Sequence, residues 1–516
     1  LNQRRDLNRV IDERLAQERG TIYKHGSLPI ALVYPSPYQV GMSSLGFQLI
    51  YRLLNERPDT VCERAFLPDD IPAWRASRSP LVTYEGRRAV GDLPIVAFSL
   101  SYELELPGVM ECLSLSGLPV LAEARGPQHP LVVIGGPLTF SNPVPASPFA
   151  DVIVMGEAEE AILTLVDLYE QIPERGALLR ALAALPGFYV PVFHGENAPA
   201  VIAADNALLP AYSAILTPNT ELSDMFLVES ERGCHRACTF CVMRRSTNGG
   251  MRLASVERIL ACVPEEAKKV GLVGAAVSDH PELVPLVRAL VESGRQVSLS
   301  SLRADRLTPE LVEWLARGGY RTITVASDGA SERLRAMMRK NIRAQHLRAA
   351  AELVRDHGLK RLKMYMMIGV PNETDEDIEE LIAFCDELRR ICPVAVGIAP
   401  FVAKRNTPLD RQPFAGIALV EGRLKTLSKR LGGKVDLRST SARWAWVEYC
   451  LAQGGAQMGL AAKAAWEGGG SFGAWRRAIE AHGGEPRATA APPSIPLTRQ
   501  ERLEVERAER RQEGSP

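Results

Sequence analysis

The chain has 516 residues, 46% of them apolar and 24% charged, the composition of an ordinary globular protein. Lys plus Arg and Asp plus Glu each number 61, so the formal charge is zero, which excludes a globally basic nucleic-acid binder and leaves room only for a local basic patch. Nine cysteines are too few for a disulfide scaffold, and three of them fall within eight residues. Residues 1–27 read as a charged helical arm without the apolar run of a secretory leader. Over 28–186, strand candidates at 30–33, 62–67, 95–100, 131–134 and 152–155 alternate with helical patterns such as Leu45, Leu49, Ile50, Leu53 and Leu54. This alternation predicts a doubly wound, Rossmann-like α/β domain. Its ligands would sit beyond the strand C-termini, where Gly135-Gly136-Pro137 and Gly156-Glu157 fall. Gly41 and Gly46 have a phosphate-loop spacing, but Phe47-Gln48 replaces the required Lys-Ser/Thr.

Residues 187–225, rich in Pro, Ala and Asn, predict a linker with a short hairpin. Over 226–412, six further strand candidates (226–228, 270–273, 297–302, 322–325, 362–368 and 394–398) alternate with helices. They predict a (β/α)6 partial TIM barrel with its active groups at the strand C-termini. Residues 413–484 predict a mostly helical C-terminal region carrying Trp444, Trp446, Trp466 and Trp475, and 485–516 a disordered tail. No apolar run approaches the ~18 residues of a membrane span, so a reducing, cytoplasmic setting is expected.

The strongest chemical signal is Cys234-His235-Arg236-Ala237-Cys238-Thr239-Phe240-Cys241, a C-x3-C-x2-C loop just after the first barrel strand. Thiolates are the usual ligands of iron–sulfur clusters. Three of them on one tight loop reach three corners of a cubane and leave the fourth iron open to a substrate or cofactor. The competing readings are structural zinc with His235 as fourth ligand, and a C-x-x-C redox pair at Cys238 and Cys241. No second ligand knuckle supports zinc. The other cysteines, Cys62, Cys112, Cys262, Cys385, Cys392 and Cys450, are scattered and predict buried thiols.

The cysteine loop at the start of a six-unit barrel resembles the radical S-adenosylmethionine (radical SAM) superfamily, with Phe240 as the aromatic before the last cysteine. The resemblance implies a 4Fe–4S cluster on Cys234, Cys238 and Cys241, with the methionyl group of S-adenosylmethionine chelating the open iron. An electron then cleaves the sulfonium to methionine and a 5′-deoxyadenosyl radical, which abstracts hydrogen from a substrate the sequence does not name. It also implies an electron donor such as flavodoxin or ferredoxin. Later segments carry the resemblance further. Gly274-Ala275-Ala276 and Ser278-Asp279 stand where relatives grip the methionyl amino group, with a strand-end turn or helix cap as the alternative. Asp328 stands for a glutamate near the ribose or methionyl end, or is a helix N-cap. Ile368-Gly369-Val370-Pro371 resembles the run beside the adenine, while most methionines of 364–367 read as barrel core. Pro400-Phe401-Val402-Ala403-Lys404 resembles a family run in which Lys404 or Arg405 meets an anionic substrate or, the favoured reading, is solvated.

The N-terminal domain resembles the cobalamin-binding domain that precedes the barrel in many of these enzymes, carried by Gly135, Gly136, Gly156 and Glu157. The D-x-H-x-x-G cobalt-ligand motif is absent, so cobalamin and a vestigial or substrate-binding domain stand as alternatives. Methylthiotransferases of the superfamily need three N-terminal cysteines, and this domain has only Cys62 and Cys112. The expected function is thus a radical SAM enzyme, with cobalamin-dependent radical methylation as one form. The alternative is a non-catalytic iron–sulfur or RNA-interacting protein on the same scaffold, motivated by the C-terminal tryptophans and arginines. Membrane partners are not expected, and nucleic acid is not otherwise indicated.

Overall fold

The computed structural model describes residues 2–243, 250–300 and 302–486. β1 (Leu28–Tyr34), β2 (Thr60–Phe66), β3 (Ile95–Ser99), β4 (Leu131–Gly135), β5 (Val152–Val154) and β6 (Phe188–Tyr189) form one sheet in the order β2-β1-β3-β4-β5-β6. The first five are parallel and β6 is an antiparallel edge. Their apolar runs are buried on both faces, as helices covering a parallel sheet require. The strand order reverses between β1 and β3, and such a switch point opens a crevice at the strand C-termini. β6 lies inside the stretch expected as a linker; the rest of that stretch is held by isolated bridges, Gly156 to Ile202 and Tyr212 to Val228.

The N-terminal segment is less of a free arm than its charge suggests. A helix spans Asn2–Leu15, and Glu18 beyond it closes on Arg64 of β2 at 2.7 Å. Arg64 is fully buried and also receives Glu85 at 2.6 Å. A buried guanidinium needs such partners to stay charged.

β7 (Met225–Glu229) opens the second unit and is followed by the hairpin β8 (Glu231–Gly233) and β9 (Met251–Leu253). Then come β10 (Lys269–Val273), β11 (Gln296–Leu299), β12 (Thr322–Asp328), β13 (Arg361–Ile368), β14 (Val394–Pro400) and β15 (Asp436–Ser439). They pair in parallel as β11-β10-β7 and β12-β13-β14-β15, and a parallel bridge from Leu302 to Val325 joins the two halves. The six expected strands are all present. β15 is an addition within the region expected to be helical: four polar-rich residues, Asp-Leu-Arg-Ser, that pair only because β14 offers an open edge. Helices between the strands start at side-chain caps, for example Thr308 accepting from the Leu311 amide at 3.2 Å.

The C-terminal helices clamp the two units together. Asn142 of the first unit donates to the carbonyls of Leu451, Ala452 and Gly454 at 3.3, 3.0 and 2.7 Å, where the helix Ala442–Gln453 ends. The helix Ala456–Glu467 lies so close to the segment Val144–Phe149 that a Cβ at Gly459 would stand 2.1 Å from the Pro145 carbonyl oxygen. The Trp466 indole donates to Glu111 at 2.9 Å, the Trp446 indole donates to Glu485 at 2.9 Å, and Trp475 is buried. Three of the four tryptophans that motivate the RNA-interacting alternative therefore have partners within the fold; of the four, Trp444 is the exposed one. The tail from 487 on lies outside the described residues.

Candidate functional site

The cysteine loop leaves the hairpin strand β8 through Gly233, whose φ of +85° turns the chain back over the barrel mouth. Three backbone contacts hold it. The Thr239 amide donates to the Met338 carbonyl at 3.0 Å, the Leu409 amide donates to the Thr239 carbonyl at 3.1 Å, and the Cys241 amide donates to the Cys238 carbonyl at 3.4 Å. The first ties the loop to the region after β12, the second to the region after β14. The three sulfurs sense one another. Burial raises the Cys241 thiol to about 11, and the charges of Cys238 and Cys234 add to the rise. Burial likewise raises Cys234 and Cys238, with Lys340 opposing the rise at Cys238. Three neighbouring thiolates are unfavourable until a metal takes up their charge, and coordinated thiols are deprotonated outright.

Among the described residues no three His, Cys, Asp or Glu side chains converge on one ion. A cubane instead presents a separate iron to each thiolate, and the donor set here suits it. His235 is turned away: its Nδ1 lies 3.3 Å from the Met251 sulfur and its Nε2 3.8 Å from Asp279. That removes it as a fourth zinc ligand. Phe240 is half-buried against the core. The remaining six cysteines are free, and all but Cys262 are buried.

Asp279 and Ser278 have protein partners. The Arg236 guanidinium, between the first two cysteines, donates to Asp279 at 2.9 and 2.5 Å, and Arg306 donates at 3.0 Å. Burial opposes the Asp279 charge, but the Arg236 fork outweighs it and holds the carboxyl below its ordinary range. Ser278 Oγ accepts from the Arg303 amide at 3.1 Å. Both residues thus brace the cysteine loop and its neighbours. Asp328 ends β12 at a register shift, with φ of +63°, and pairs with Lys340 at 2.5 Å. Both charges act on Cys238, so this pair stands beside the loop. Gly369, at φ +74°, donates its amide to Glu373 at 2.6 Å, and Arg423 donates to the same carboxylate at 2.6 Å. Burial pushes Glu373 up to about 7. Lys404 is neither solvated nor free for an anion: its ammonium lies 2.7 Å from both Glu103 and Glu448, linking all three regions of the chain.

The glycine turns of the first sheet come together. Gly135, Gly136, Gly156 and Glu157 line a cavity of about 330 Å³ whose far wall is Glu229, Arg232, Met243 and Val273 of the barrel. Two of the glycines serve the fold: a Cβ at Gly136 would stand 2.8 Å from the Leu100 carbonyl oxygen, and one at Gly156 would stand 2.3 Å from that of Ile202. A Cβ at Gly135 would meet only Val154, at 3.8 Å, and one at Gly46, also on the wall, would meet nothing within 4 Å. Gly46 and Gly135 are thus the bare positions facing the space. Arg232 bridges the units. It donates to Glu157 at 3.1 Å, to Glu159 at 2.5 Å and twice to Glu229, while Arg252 closes on the other oxygen of Glu157. Burial works against the Arg232 charge, yet Glu229, Glu159 and Glu157 outweigh it and raise its pKa. Sequence reasoning missed this residue, because two of its partners are more than 70 positions away. The barrel lumen is a second, larger space of about 780 Å³, lined by Thr324, Asp328, Lys363, Tyr365, Met367 and Gly397 among others.

Residues 46–191 match the model of the family "Radical SAM proteins, N-terminal", and residues 228–385 match that of the "Radical SAM superfamily". An uncharacterised protein of Methanocaldococcus jannaschii is 26% identical over 397 residues, covering 75% of this chain and 80% of that protein. An uncharacterised methyltransferase of Pyrococcus horikoshii is 24% identical over 273 residues, 51% of this chain and 59% of its own. A tRNA-2-methylthio-N(6)-dimethylallyladenosine synthase of Bacillus subtilis is 27% identical over 172 residues, 30% of this chain and 34% of its own. The apo structure of the cobalamin-dependent S-adenosylmethionine radical enzyme OxsB shares the fold, with a TM-score of 0.51 at 13% identity, over 78% of this chain and 61% of that one. With both family models matched across more than half of its length, and the three thiols of its loop set at the mouth of a six-unit parallel barrel, the chain belongs to the radical SAM superfamily of enzymes.

Proposed function

We propose that this enzyme modifies a small substrate in the barrel lumen by radical chemistry, and that a cobalamin seated between its two α/β units takes part as the methyl carrier. The family implies a 4Fe–4S cluster and S-adenosylmethionine. When bound, the cluster supplies the electron that splits S-adenosylmethionine into methionine and a 5′-deoxyadenosyl radical. The chain's own work is placement and exclusion of water. Cys234, Cys238 and Cys241 would hold the cluster. Asp279 fixes Arg236 within the loop, and Asp328 with Lys340 sets polar partners beside Cys238.

The observation that carries the cobalamin reading is the shared cavity. It puts the bare Gly135 and Gly46 backbones opposite Arg232 and Met243, which flank the cysteine loop in sequence. A bulky planar ligand entering from the first unit would therefore face the cluster side of the barrel. Among the described residues that line the space there is no histidine, so no imidazole of the lining would hold the group. At about 330 Å³ the space would take only part of a corrin.

Anaerobic reconstitution tests the reading. Reductive release of 5′-deoxyadenosine and methionine, with corrin retained after gel filtration, is the expected result. Gly135→Leu should separate the two activities. It adds four carbons to the empty side of the cavity, and overpacking of about 1–3 kcal/mol should lower corrin retention roughly five- to 150-fold. 5′-Deoxyadenosine release should persist. Equal corrin retention in parent and variant would remove cobalamin from this site.

We assign the reductant to the flavodoxin or ferredoxin class, to be checked by reduction kinetics with each. RNA binding is not part of the proposal; a salt-sensitive RNA shift would revive it. No helix among the described residues is long and apolar enough to cross a membrane.

A further inference from the structure

The lumen holds a charge that nothing in the protein answers. Its wall carries Lys360, Arg361, Lys363 and Arg438 against Asp328 and Asp436. Asp328 is taken by Lys340 at 2.5 Å, and Asp436 by Arg361 at 2.8 Å and Arg438 at 3.4 Å. Lys360 and Lys363 have no carboxylate within ion-pair distance among the described residues. Lys360 is exposed, at the rim. Lys363 is half-buried on the lumen face of β13, and its ammonium lies 4.7 Å from the centroid of the Tyr365 ring.

That ring has a built seat. Tyr365 pairs in register with Gly397 of β14, and a Cβ at Gly397 would stand 2.8 Å from one edge carbon of the ring and 2.9 Å from another. A glycine in mid-strand weakens a sheet unless something must approach closely. Here it lets the ring lie against β14, with 40% of the residue still open to the lumen. The result is an aromatic ring seated against the strand with an ammonium held over its face.

We infer that Lys363 and Tyr365 bind the anionic end of the substrate, a carboxylate or phosphate ester on a small molecule, deep in the barrel. The inference rests on the reading of the lumen as the reaction chamber. Lys363 pairs with Thr324, whereas Asp328 pairs at the level of Met366. Three residues of strand rise separate them, roughly 10 Å. An anion held at Lys363 therefore leaves a molecule about that long with its far end at Asp328, beside Cys238. A space of about 780 Å³ suits such a ligand. The cation–π contact holds the ammonium upright without neutralising it, and an arriving anion completes the pair.

The test uses the full, reconstituted chain and pyridoxal 5′-phosphate, an anionic aldehyde that forms imines with lysines. Borohydride traps the adducts for peptide mass spectrometry. Lys363 should be trapped, and citrate or inorganic pyrophosphate at about ten times its dissociation constant should slow trapping about tenfold. Exposed Lys429 should be unaffected. The stronger protector, citrate or pyrophosphate, identifies the carboxylate or the phosphate class. Trapping at Lys363 that neither anion slows overturns the inference. So does protection by S-adenosylmethionine alone, which would give Lys363 to the cofactor. Lys363→Gln should keep the parent's iron and sulfide content, so that lost anion binding is not lost folding. If 5′-deoxyadenosine release fails while anion protection persists, the radical reading fails and the anion site stands.

Discussion

Cys238→Ala is expected to lose its cluster and all reductive cleavage of S-adenosylmethionine while keeping its fold. The loop offers three thiolates and His235 is engaged elsewhere, so two thiolates would remain for a cubane that needs three. Because the cofactor carries the chemistry, 5′-deoxyadenosine release should fall to background rather than by a modest factor. The fold should hardly notice. The Cys238 sulfur has one weak contact, 3.9 Å to the Arg339 carbonyl, so apart from the stability the bound cluster itself lends, truncation should cost the cluster-free chain only about 0.5 kcal/mol. Cys450→Ala is the opposite control. That thiol is fully buried, so its loss should lower stability by about 1 kcal/mol and leave iron content unchanged. Iron and sulfide assays with thermal melting decide both cases. Turnover by Cys238→Ala would refute the assignment of the loop.

Arg232→Ala is expected to be the most destabilising single substitution at the interface of the two units. It would leave Glu157, Glu159 and Glu229 facing one another with Arg252 as the remaining cation of the network. Removing one partner from a buried ionic network costs about 3–5 kcal/mol, because the surviving charges stay desolvated. Arg232→Lys should recover only part of this, since one ammonium cannot serve three carboxylates through separate guanidinium edges. Urea unfolding followed by tryptophan fluorescence, with proteolysis of the 190–224 connection as a second readout, measures the effect. Arg232→Ala with unchanged unfolding and no new cleavage would show that the network is not what joins the units.

The part of this molecule that is local in sequence was legible without coordinates. The C-x3-C-x2-C loop, the six strands of the barrel and the glycine turns each lie within a few residues, and spacing alone carries them. What could not be read is pairing at a distance. The sequence places Asp279 as a candidate for the methionyl amino group but gives no sign that it also receives Arg236 from 43 positions away. Lys404 looked solvated; it joins Glu103 and Glu448. β15 had no apolar signature and exists because β14 has an open edge. The glycines divide in a way no spacing reveals: Gly136 and Gly156 serve close backbone packing, Gly46 and Gly135 an open wall, and Gly397 the Tyr365 ring.

The clamp made by the last helices has a bearing on how the chain is made. Apolar residues of the first unit, such as Ala146 and Phe149, share one continuous core with Ala461, Ala462 and Trp475. During synthesis those early surfaces emerge from the ribosome more than 300 residues ahead of their cover. Half-dressed sheets of this kind are prone to wrong associations. A nascent chain stalled before residue 442 should therefore depend on holding chaperones until translation delivers the closing helices.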